Sequence, residues 1–514
     1  MVELVLPQAM IETATAAADW VLVLPLVLCL LGSAATVMLR KAGNLSFVLT
    51  ALVVLAVIAC EVTLLLRVYE GGPLSMTMGQ WLPPFGISLV ADLFSAGFAL
   101  AASVVTLVVL VYAQGERGAD AGDGFHPLVL LLLAGVTGAF LTGDLFNLYV
   151  WFEVMLIASF GLLVLGGRPI QLDGAVKYGF LNFLATTLFL LSLGLVYGTL
   201  GTLNMADILR SAPAASPAIM AAIAALLLLA FGMKAAAFPL NAWLPASYHT
   251  PPAAISALFA GLLTKVGAYA LLRALVVVLP ASRDLLEPAL LAVAVGTLVI
   301  APLGAIAETR LRRAVGFLVM GGVGSVLAGI AAPSLAGVGG AGLYIFHAML
   351  TMTALYLVVG LIERATGATD TRQMGGLYAA STPLSILFLA MILATAGVPP
   401  FLGFWPKLLL LEASLGQGGW GGFILTGALL VNAVLTLIAG SRLWGHVFWR
   451  SAPDGQAPQP VIRASFGAAA ALVAVIIALG LWPNGLFEAL NQGAPGLLDP
   501  ARYIESIGLA EVAP

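Results

Sequence analysis

Three lysines lie inside long apolar stretches of the sequence, at Lys234, Lys265 and Lys407. A lysine at the centre of a membrane-spanning helix costs about 2.5 to 3.5 kcal/mol on the insertion scale, so its presence indicates a function. Burial favours the neutral amine over the ammonium ion, and a buried lysine can therefore alternate between the two forms. We interpret the three lysines as proton carriers. The alternatives are side chains that reach the membrane surface or static ion pairs.

One carboxylate and two histidines extend this set. Glu153 lies at the centre of an apolar segment, where an isolated carboxylate needs a proton or a cation, and we expect Lys234 to be its partner. His347 lies in an apolar run and can exchange a proton near neutral pH, so we favour a relay role over a packing role. His249, in Ser247-Tyr-His-Thr-Pro-Pro252, is either a proton uptake group or only a loop residue.

Three further acidic residues fall toward the outer ends of apolar segments. They are Glu61, Asp92 and Asp144. The expected state of such residues is solvation at the membrane interface. We therefore leave them out of the predicted proton path.

Helices that cross a membrane must position these groups. A span needs about 20 mostly apolar residues, because the hydrocarbon core is about 30 Å thick and a helix rises about 1.5 Å per residue. Fourteen such segments predict an all-α integral membrane protein. The segments cover residues 20–39, 45–66, 86–113, 126–142, 145–166, 174–200, 214–246, 250–278, 287–307, 311–332, 338–363, 382–415, 420–441 and 463–482.

Two of these segments, 214–246 and 382–415, are too long for one span and contain prolines. Proline interrupts helical hydrogen bonding, so each segment should break into two half-helices. Segments 4 to 8 and segments 9 to 13 form two blocks of five, and the fourth segment of each block, segment 7 or segment 12, contains the break. The sequence therefore predicts two inverted five-helix repeats, with a transport site between them. The predicted units are residues 1–125 (segments 1 to 3), 126–278 (segments 4 to 8), 287–441 (segments 9 to 13) and 442–514 (segment 14 and a tail).

The distribution of positive charge predicts the orientation. Thirteen of the 21 Lys and Arg lie on one side of the predicted spans and five on the other, while the three buried lysines lie within segments. Cytoplasmic loops carry the excess of positive residues. We therefore predict a multi-pass membrane protein with both termini outside.

The composition excludes several classes of protein. Of the 514 residues, 61% are hydrophobic and 9% are charged, far from the roughly 25% charged residues of a soluble domain. A net charge of -3 argues against nucleic-acid binding. We find no phosphate-binding loop, cysteine cluster or histidine pair, so we expect no cofactor and make no metal assignment. Cys29 and Cys60 are interpreted as packing residues.

Two stretches of the sequence resemble a known family. They are Gly143-Asp-Leu-Phe-Asn-Leu-Tyr-Val-Trp-Phe-Glu-Val-Met155, and Phe231-Gly-Met-Lys-Ala-Ala-Ala-Phe-Pro-Leu-Asn-Ala-Trp-Leu-Pro245 with His249-Thr-Pro-Pro252. Both resemble the antiporter-like subunits shared by Mrp cation/proton antiporters and respiratory complex I. Within that family, the lead-in to Glu153 and the tail at 497–505 are similar to the D subunits of Mrp antiporters.

The resemblance carries its own expectations. It implies that Glu153 and Lys234 form a functional ion pair, that Lys265 is the central proton carrier and that Lys407 is the terminal one. His249 and His347 match positions on the family's proton path. The implied partners are the A, B, C, E, F and G subunits of an Mrp antiporter, with H⁺ and Na⁺ as the ions and the lipid bilayer as the surroundings.

The leading hypothesis is a proton-translocating subunit of a multisubunit monovalent cation/proton antiporter. Such a protein is a secondary transporter that moves protons inward and drives sodium outward, and it is not an enzyme. Two alternatives remain open. One is a proton-pumping subunit of a redox-driven NADH-quinone oxidoreductase or related hydrogenase complex, and the other is a scaffold subunit without its own ion path.

Overall fold

The computed structural model describes residues 15–117, 124–451 and 462–509. The two chain termini, predicted to lie outside, are not among the described residues. The described part of the chain is mostly helical. In chain order the α-helices are α1 (Leu24–Met38), α2 (Gly43–Gly71), α3 (Leu93–Arg117), α4 (Phe125–Leu141), α5 (Leu145–Val164), α6 (Pro169–Leu200), α7 (Met205–Ser211), α8 (Pro217–Ala235), α9 (Trp243–Ser247), α10 (Ala253–Leu258), α11 (Thr264–Leu272), α12 (Pro280–Leu285), α13 (Glu287–Ala307), α14 (Leu311–Ala331), α15 (Leu335–Thr366), α16 (Leu377–Ala380), α17 (Thr382–Ala396), α18 (Phe404–Gln417), α19 (Gly419–Trp444), α20 (Arg463–Leu481), α21 (Asn484–Leu498) and α22 (Ala501–Ser506).

Shorter helical pieces complete the list. Three turns of π-helix, Phe259–Leu263, Arg273–Val278 and Gly445–Trp449, extend or interrupt α-helices. The first joins α10 to α11 and the second extends α11, so that Ala253–Val278 is one continuous helix. The 3-10 helices are Ala17–Leu22, Ala212–Ala214 and Thr371–Gln373.

The helices coincide with the predicted segments. Within the described residues, eleven helices are long and apolar enough to cross a membrane, and three shorter apolar helices, α1, α4 and α17, coincide with the other predicted segments. The prediction of a mostly helical protein with many apolar spans is therefore confirmed.

The all-α prediction missed a small sheet. Strands β1 (Leu74–Thr77) and β2 (Ser88–Ala91) pair in an antiparallel hairpin. The connecting residues contain two glycines and two adjacent prolines, which favour a turn over a helix. The predicted third segment, 86–113, therefore began too early, because the apolar residues of β2 belong to the hairpin and the helix begins at Leu93.

Both predicted helix breaks are present. Helix α8 ends at Ala235, and Ala236 adopts a left-handed backbone conformation before the chain resumes at α9. Helix α17 ends at Ala396, and Gly397 adopts a left-handed conformation before α18. At each break the regular helical hydrogen bonding ends, and backbone amides at the break bond only some of the last carbonyls, such as Met233 after α8 and Ala394 after α17.

The centre of the molecule is formed by the continuous helix Ala253–Val278 together with α14 and α15. Nearly every residue in the most apolar stretch of each of these three helices is buried inside the chain. In contrast, α2, α13, α19 and α20 leave about two thirds of their most apolar stretches uncovered. The central helices therefore provide an environment without lipid contact, in which polar side chains can be held.

The C-terminal tail is folded and closes one end of the bundle. It was predicted only as a tail, but α21 and α22 pack onto the structure. The ring of Tyr503, on α22, lies 5.4 Å from the guanidinium carbon of Arg273. Neither α21 nor α22 was predicted as a span, because both are shorter than the roughly 20 apolar residues that a span requires.

Candidate functional site

Lys234 lies in the last turn of α8, directly before the first helix break. Its side chain is buried, and its ammonium nitrogen lies 5.3 Å from the centre of the Phe152 ring. Phe152 belongs to an aromatic group with Phe189 and Phe231, whose ring centres lie 4.6 Å apart. The face of such an aromatic ring attracts the ammonium group electrostatically, but it does not hold lysine in its charged form as a carboxylate would.

A small cavity of about 20 Å³ adjoins Lys234. Its lining includes Tyr178, Asn182 and Trp243. The Trp243 indole nitrogen donates to the Met233 carbonyl at 3.0 Å, and the same carbonyl also accepts from the Ala236 amide at 3.1 Å. A polar cavity of this volume accommodates about one water molecule, so a water could bridge Lys234 to the polar groups around it.

Glu153, on α5, does not contact Lys234 directly. No nitrogen–oxygen distance of 4.0 Å or less joins the two side chains. Their charges nevertheless act on each other, and Phe152, the neighbour of Glu153 in sequence, faces the ammonium group. One carboxylate oxygen of Glu153 is buried without a hydrogen-bond partner among the described residues. The implied ion pair is therefore open in this structure.

Lys265 lies at the junction of the π-helical turn Phe259–Leu263 and α11. Its ammonium nitrogen donates to the Ala260 carbonyl at 2.5 Å and to the Thr264 hydroxyl at 3.2 Å. The π-helical turn shifts the hydrogen-bonding register and makes this carbonyl available to a side chain. Lys265 is thus held by neutral oxygens in the most buried helix of the molecule.

His347, on α15, is completely buried. Its Nδ1 lies 3.1 Å from the Thr351 hydroxyl, and its Nε2 has no hydrogen-bond partner among the described residues. Both Lys265 and Lys407 are close enough for their charges to act on the ring. The free nitrogen leaves one position at which His347 can accept or donate a proton.

Lys407, on α18, reaches back across the second helix break. Its ammonium nitrogen donates to the carbonyls of Thr395 and Ala396 at 3.1 and 2.8 Å. These are among the last carbonyls of α17, where the helix dipole is negative. The Asn432 side-chain oxygen lies 3.5 Å from the same nitrogen. Lys407 therefore caps a half-helix without meeting a carboxylate.

Close backbone contacts connect these groups into a line. A Cβ atom at Gly267 would lie 2.8 Å from the Ala235 nitrogen, so α11, with Lys265, touches the end of α8 that carries Lys234. A Cβ atom at Gly403 would lie 2.8 Å from His347 Nε2, so the second break touches this ring. The order across the molecule is thus Glu153, Lys234, Lys265, His347 and Lys407.

His249 does not join this line. Its Nδ1 lies 2.9 Å from the Pro245 carbonyl, and no hydrogen bond or ion pair in the described residues joins it to the three lysines. Burial, assisted by the neighbouring Arg310, Arg312 and Arg313, lowers the pKa of the His249 imidazole to about 4. The ring is therefore neutral at neutral pH.

The expectation that three acidic residues are solvated at helix ends is wrong. Glu61 is completely buried, because α2 extends to Gly71 and places this residue well inside the helix. Asp92 forms an ion pair with Arg273. Asp144 is buried and accepts from the Asn147 backbone at 2.8 Å as the N-cap of α5.

Comparison with known proteins identifies the family. A family model described as "NADH:quinone oxidoreductase/Mrp antiporter, TM" matches residues 142–436, which include all five groups of the line. The chain belongs to this antiporter family. The resemblance predicted from the sequence is confirmed.

The family relatives include antiporter subunits. The chain is 35% identical to the D subunit of the Na(+)/H(+) antiporter of Alkalihalophilus pseudofirmus, over 94% of this chain and 98% of the relative. It matches a chain of the Mrp complex from Dietzia sp. DQ12-45-1b with a TM-score of 0.90 and 28% identity, covering 96% and 100% of the two chains. A chain of respiratory complex I from Thermus thermophilus matches with a TM-score of 0.78 and 21% identity, over 96% of this chain and 100% of the other, which shows a shared fold alone.

Two asparagines of this antiporter-family chain escaped the sequence analysis. Asn182 lines the cavity beside Lys234, and Asn432 contacts Lys407 and donates to the Leu298 carbonyl at 2.7 Å. Each is the only asparagine of a long apolar helix, α6 or α19. A buried amide in such a helix was a usable signal, because polar groups inside membranes require partners.

Proposed function

We propose that this chain is the proton-translocating subunit of a multisubunit Na⁺/H⁺ antiporter of the Mrp type. In this proposal protons move along Glu153, Lys234, Lys265, His347 and Lys407. The similarity to the D subunits of antiporters along nearly the whole chain supports the assignment to a cation/proton antiporter.

The proposal rests on a difference in partners between the three buried lysines and two largely covered arginines. Arg273 pairs with Asp92, and Arg312 pairs with Glu363 at 2.7 Å. None of the three buried lysines forms an ion pair within the described residues. A carboxylate would hold a lysine in its charged form, whereas carbonyl, hydroxyl and aromatic partners leave both protonation states accessible.

The spacing of the groups couples their charges. Two like charges in a poorly solvated interior repel each other, so a proton that arrives at one lysine favours release from the next. Gly267, on the helix that carries Lys265, contacts the Lys234 end of α8, and the charges of both Lys265 and Lys407 act on His347. His347 thus bridges the two halves of the line.

Glu153 acts at one end of the line as a switch. In this structure it stands apart from Lys234, with Phe152 beside the ammonium group. Closing the pair would hold the proton on Lys234, and opening it would favour release toward Lys265. His249 remains the candidate for proton uptake, although its contacts provide no direct link to the line.

The proposed architecture has fourteen spans in two inverted five-helix repeats, 126–278 and 287–441. Support comes from the two helix breaks, each of which ends in a left-handed residue beside a buried lysine. The segment 1–125 precedes the repeats, and 442–514 follows them. We place the chain in the bacterial plasma membrane, with both termini outside, as a partner of the A, B, C, E, F and G subunits of the antiporter.

Exchange measurements in everted vesicles test the proposal. The full set of antiporter genes is expressed in an antiporter-deficient host, and Na⁺-dependent proton movement is followed with a pH-sensitive dye. Lys265→Met should abolish exchange in an assembled complex. The matched control is Lys177→Met, because Lys177 is half exposed and pairs with Asp173 at 2.6 Å. Wild-type exchange by the assembled Lys265→Met complex would make this chain a scaffold.

A further inference from the structure

A buried carboxyl group lies outside the line of lysines, on α2. Glu61 has no solvent exposure. It lies ten residues before the end of α2 at Gly71, or about 15 Å along the helix axis. The midpoint of this 29-residue helix is Val57, about 6 Å along the axis from Glu61, so Glu61 lies in the middle third of the span.

The surroundings of Glu61 contain hydroxyl groups. The Thr137 hydroxyl, on α4, donates to one carboxyl oxygen at 3.4 Å. The Ser103 hydroxyl, on α3, lies near the same carboxyl group and is itself buried without a hydrogen-bond partner among the described residues. The second carboxyl oxygen of Glu61 is buried without a partner. One oxygen is therefore available to carry or exchange a hydrogen.

No cation neutralises this carboxyl group in the described part of the chain. The titratable groups that face it are the thiols of Cys29, on α1, and Cys60, on α2 itself. The nearest arginine on the same helix, Arg67, is engaged by Asp19 at 2.8 Å. An isolated ionised carboxylate is very costly in an apolar interior, so a carboxyl group in this setting carries a proton.

The Glu61 group is separated from Glu153 by α4. The Trp151 ring, on α5, packs against Gly138, the residue that follows Thr137 on α4. The outer face of α2 is largely uncovered by this chain and presents apolar side chains such as Leu52 and Leu55. Glu61 thus lies one helix thickness from lipid or from a neighbouring subunit.

We propose that Glu61, with Thr137 and Ser103, forms a second proton-binding site of this chain, separate from the line of lysines. Glu61 holds one proton at mid-membrane depth, and loss and recovery of that proton accompany ion exchange. The Thr137 and Ser103 hydroxyls stabilise the charged form while the proton is absent. Because antiport couples its ion movements, blocking this site slows the whole exchange.

Carbodiimide labelling tests whether Glu61 is protonated. A hydrophobic carbodiimide accepts the carboxyl proton on nitrogen while the carboxyl oxygen adds to its central carbon, giving an acylisourea that rearranges to a stable acylurea. The complex is labelled in membranes across a range of pH, and modified peptides are identified by mass spectrometry. We expect an adduct on Glu61 that forms more slowly as pH rises. Labelling of the Glu153 peptide without any labelling of Glu61 would overturn the proposal.

Exchange by Glu61→Gln tests whether the proton is used. Glutamine keeps the shape and accepts the same hydrogen bond, so a purely structural role predicts normal exchange. The proposal predicts a fall of about a hundredfold, the lower end of what a positioned proton-transfer group contributes, with partial recovery in Glu61→Asp. The control is Glu70→Gln, at the exposed end of the same helix, which should exchange normally. Wild-type exchange by Glu61→Gln at every pH would refute the proposal.

A second variant guards against failed assembly of Glu61→Gln. Thr137→Val removes the hydroxyl donor but keeps the carboxyl group and the side-chain shape. The proposal predicts that the pH at which labelling of Glu61 is half-maximal shifts in this variant. An unchanged labelling profile would show that the hydroxyl does not share in proton binding, and would overturn the site as described.

Discussion

Replacing Lys407 by Met tests whether Lys407 is needed for the stability of the protein or for proton transport. Methionine has a similar unbranched stem, but it cannot carry a proton. The substitution removes two hydrogen bonds, to the Thr395 and Ala396 carbonyls at 3.1 and 2.8 Å. Hydrogen bonds to a charged group contribute about 1.5 to 3 kcal/mol each, so the loss is about 3 to 6 kcal/mol.

The substitution also removes an unfavourable contribution. A lysine at the centre of a span costs about 2.5 to 3.5 kcal/mol, and methionine avoids that cost. The free energy of unfolding therefore falls by about -0.5 to 3.5 kcal/mol, which a large buried assembly tolerates. We expect the Lys407→Met complex to assemble, with a modestly lower midpoint of thermal unfolding.

Exchange should be lost in the same complex. The assay compares Na⁺-dependent proton movement in everted vesicles with the amount of assembled complex purified from the same membranes. Lys41→Met, an exposed position between α1 and α2, is the matched control and should behave as wild type. Near-normal exchange by assembled Lys407→Met would refute the role of Lys407 as a proton carrier. Loss of assembly in parallel with exchange would identify a structural role instead.

Three further substitutions test the surroundings of the line. Gly397→Ala should destabilise the protein by about 1 to 3 kcal/mol and reduce exchange. The backbone of Gly397 is left-handed, and a Cβ atom there would lie 2.6 Å from Lys407 Cδ. Unaltered exchange would contradict this packing. Asp92→Asn should lower the free energy of unfolding by about 3 to 5 kcal/mol, because Arg273 is left buried without its partner. We expect a loss of purified complex. The double variant with Arg273→Met should recover much of that yield. Trp243→Phe should lower stability by about 1 kcal/mol through one lost hydrogen bond, with exchange preserved, and a large loss of exchange would assign the indole a part in proton movement.

The spans and the buried lysines were predictable for a simple physical reason. A membrane requires about 20 apolar residues in a row, so a single lysine in such a row is visible without any knowledge of the fold. Proline positions likewise predicted the breaks after Ala235 and Ala396. These signals are local in sequence, and they identified Lys234, Lys265 and Lys407 as a set.

The contacts between these groups could not be predicted. The order of the line depends on Gly267 meeting the end of α8 and on Gly403 meeting His347, and both contacts join residues far apart in the sequence. The burial of Glu61 depended on where α2 ends, since an end at Gly71 rather than at residue 66 moves Glu61 from the interface to the interior. Short helices and the hairpin lack the long apolar run on which the prediction relied.

The position of α22 determines when this protein can finish folding. Tyr503 covers Arg273, and its hydroxyl lies 3.9 Å from the sulfur of Met205, so residues near the end of the chain complete a site built from much earlier segments. Among the described elements, α22 comes after all the longer helices in the chain, so it is synthesised after them. The Arg273 end of the helix that carries Lys265 therefore gains its contact with Tyr503 only after translation has passed Tyr503.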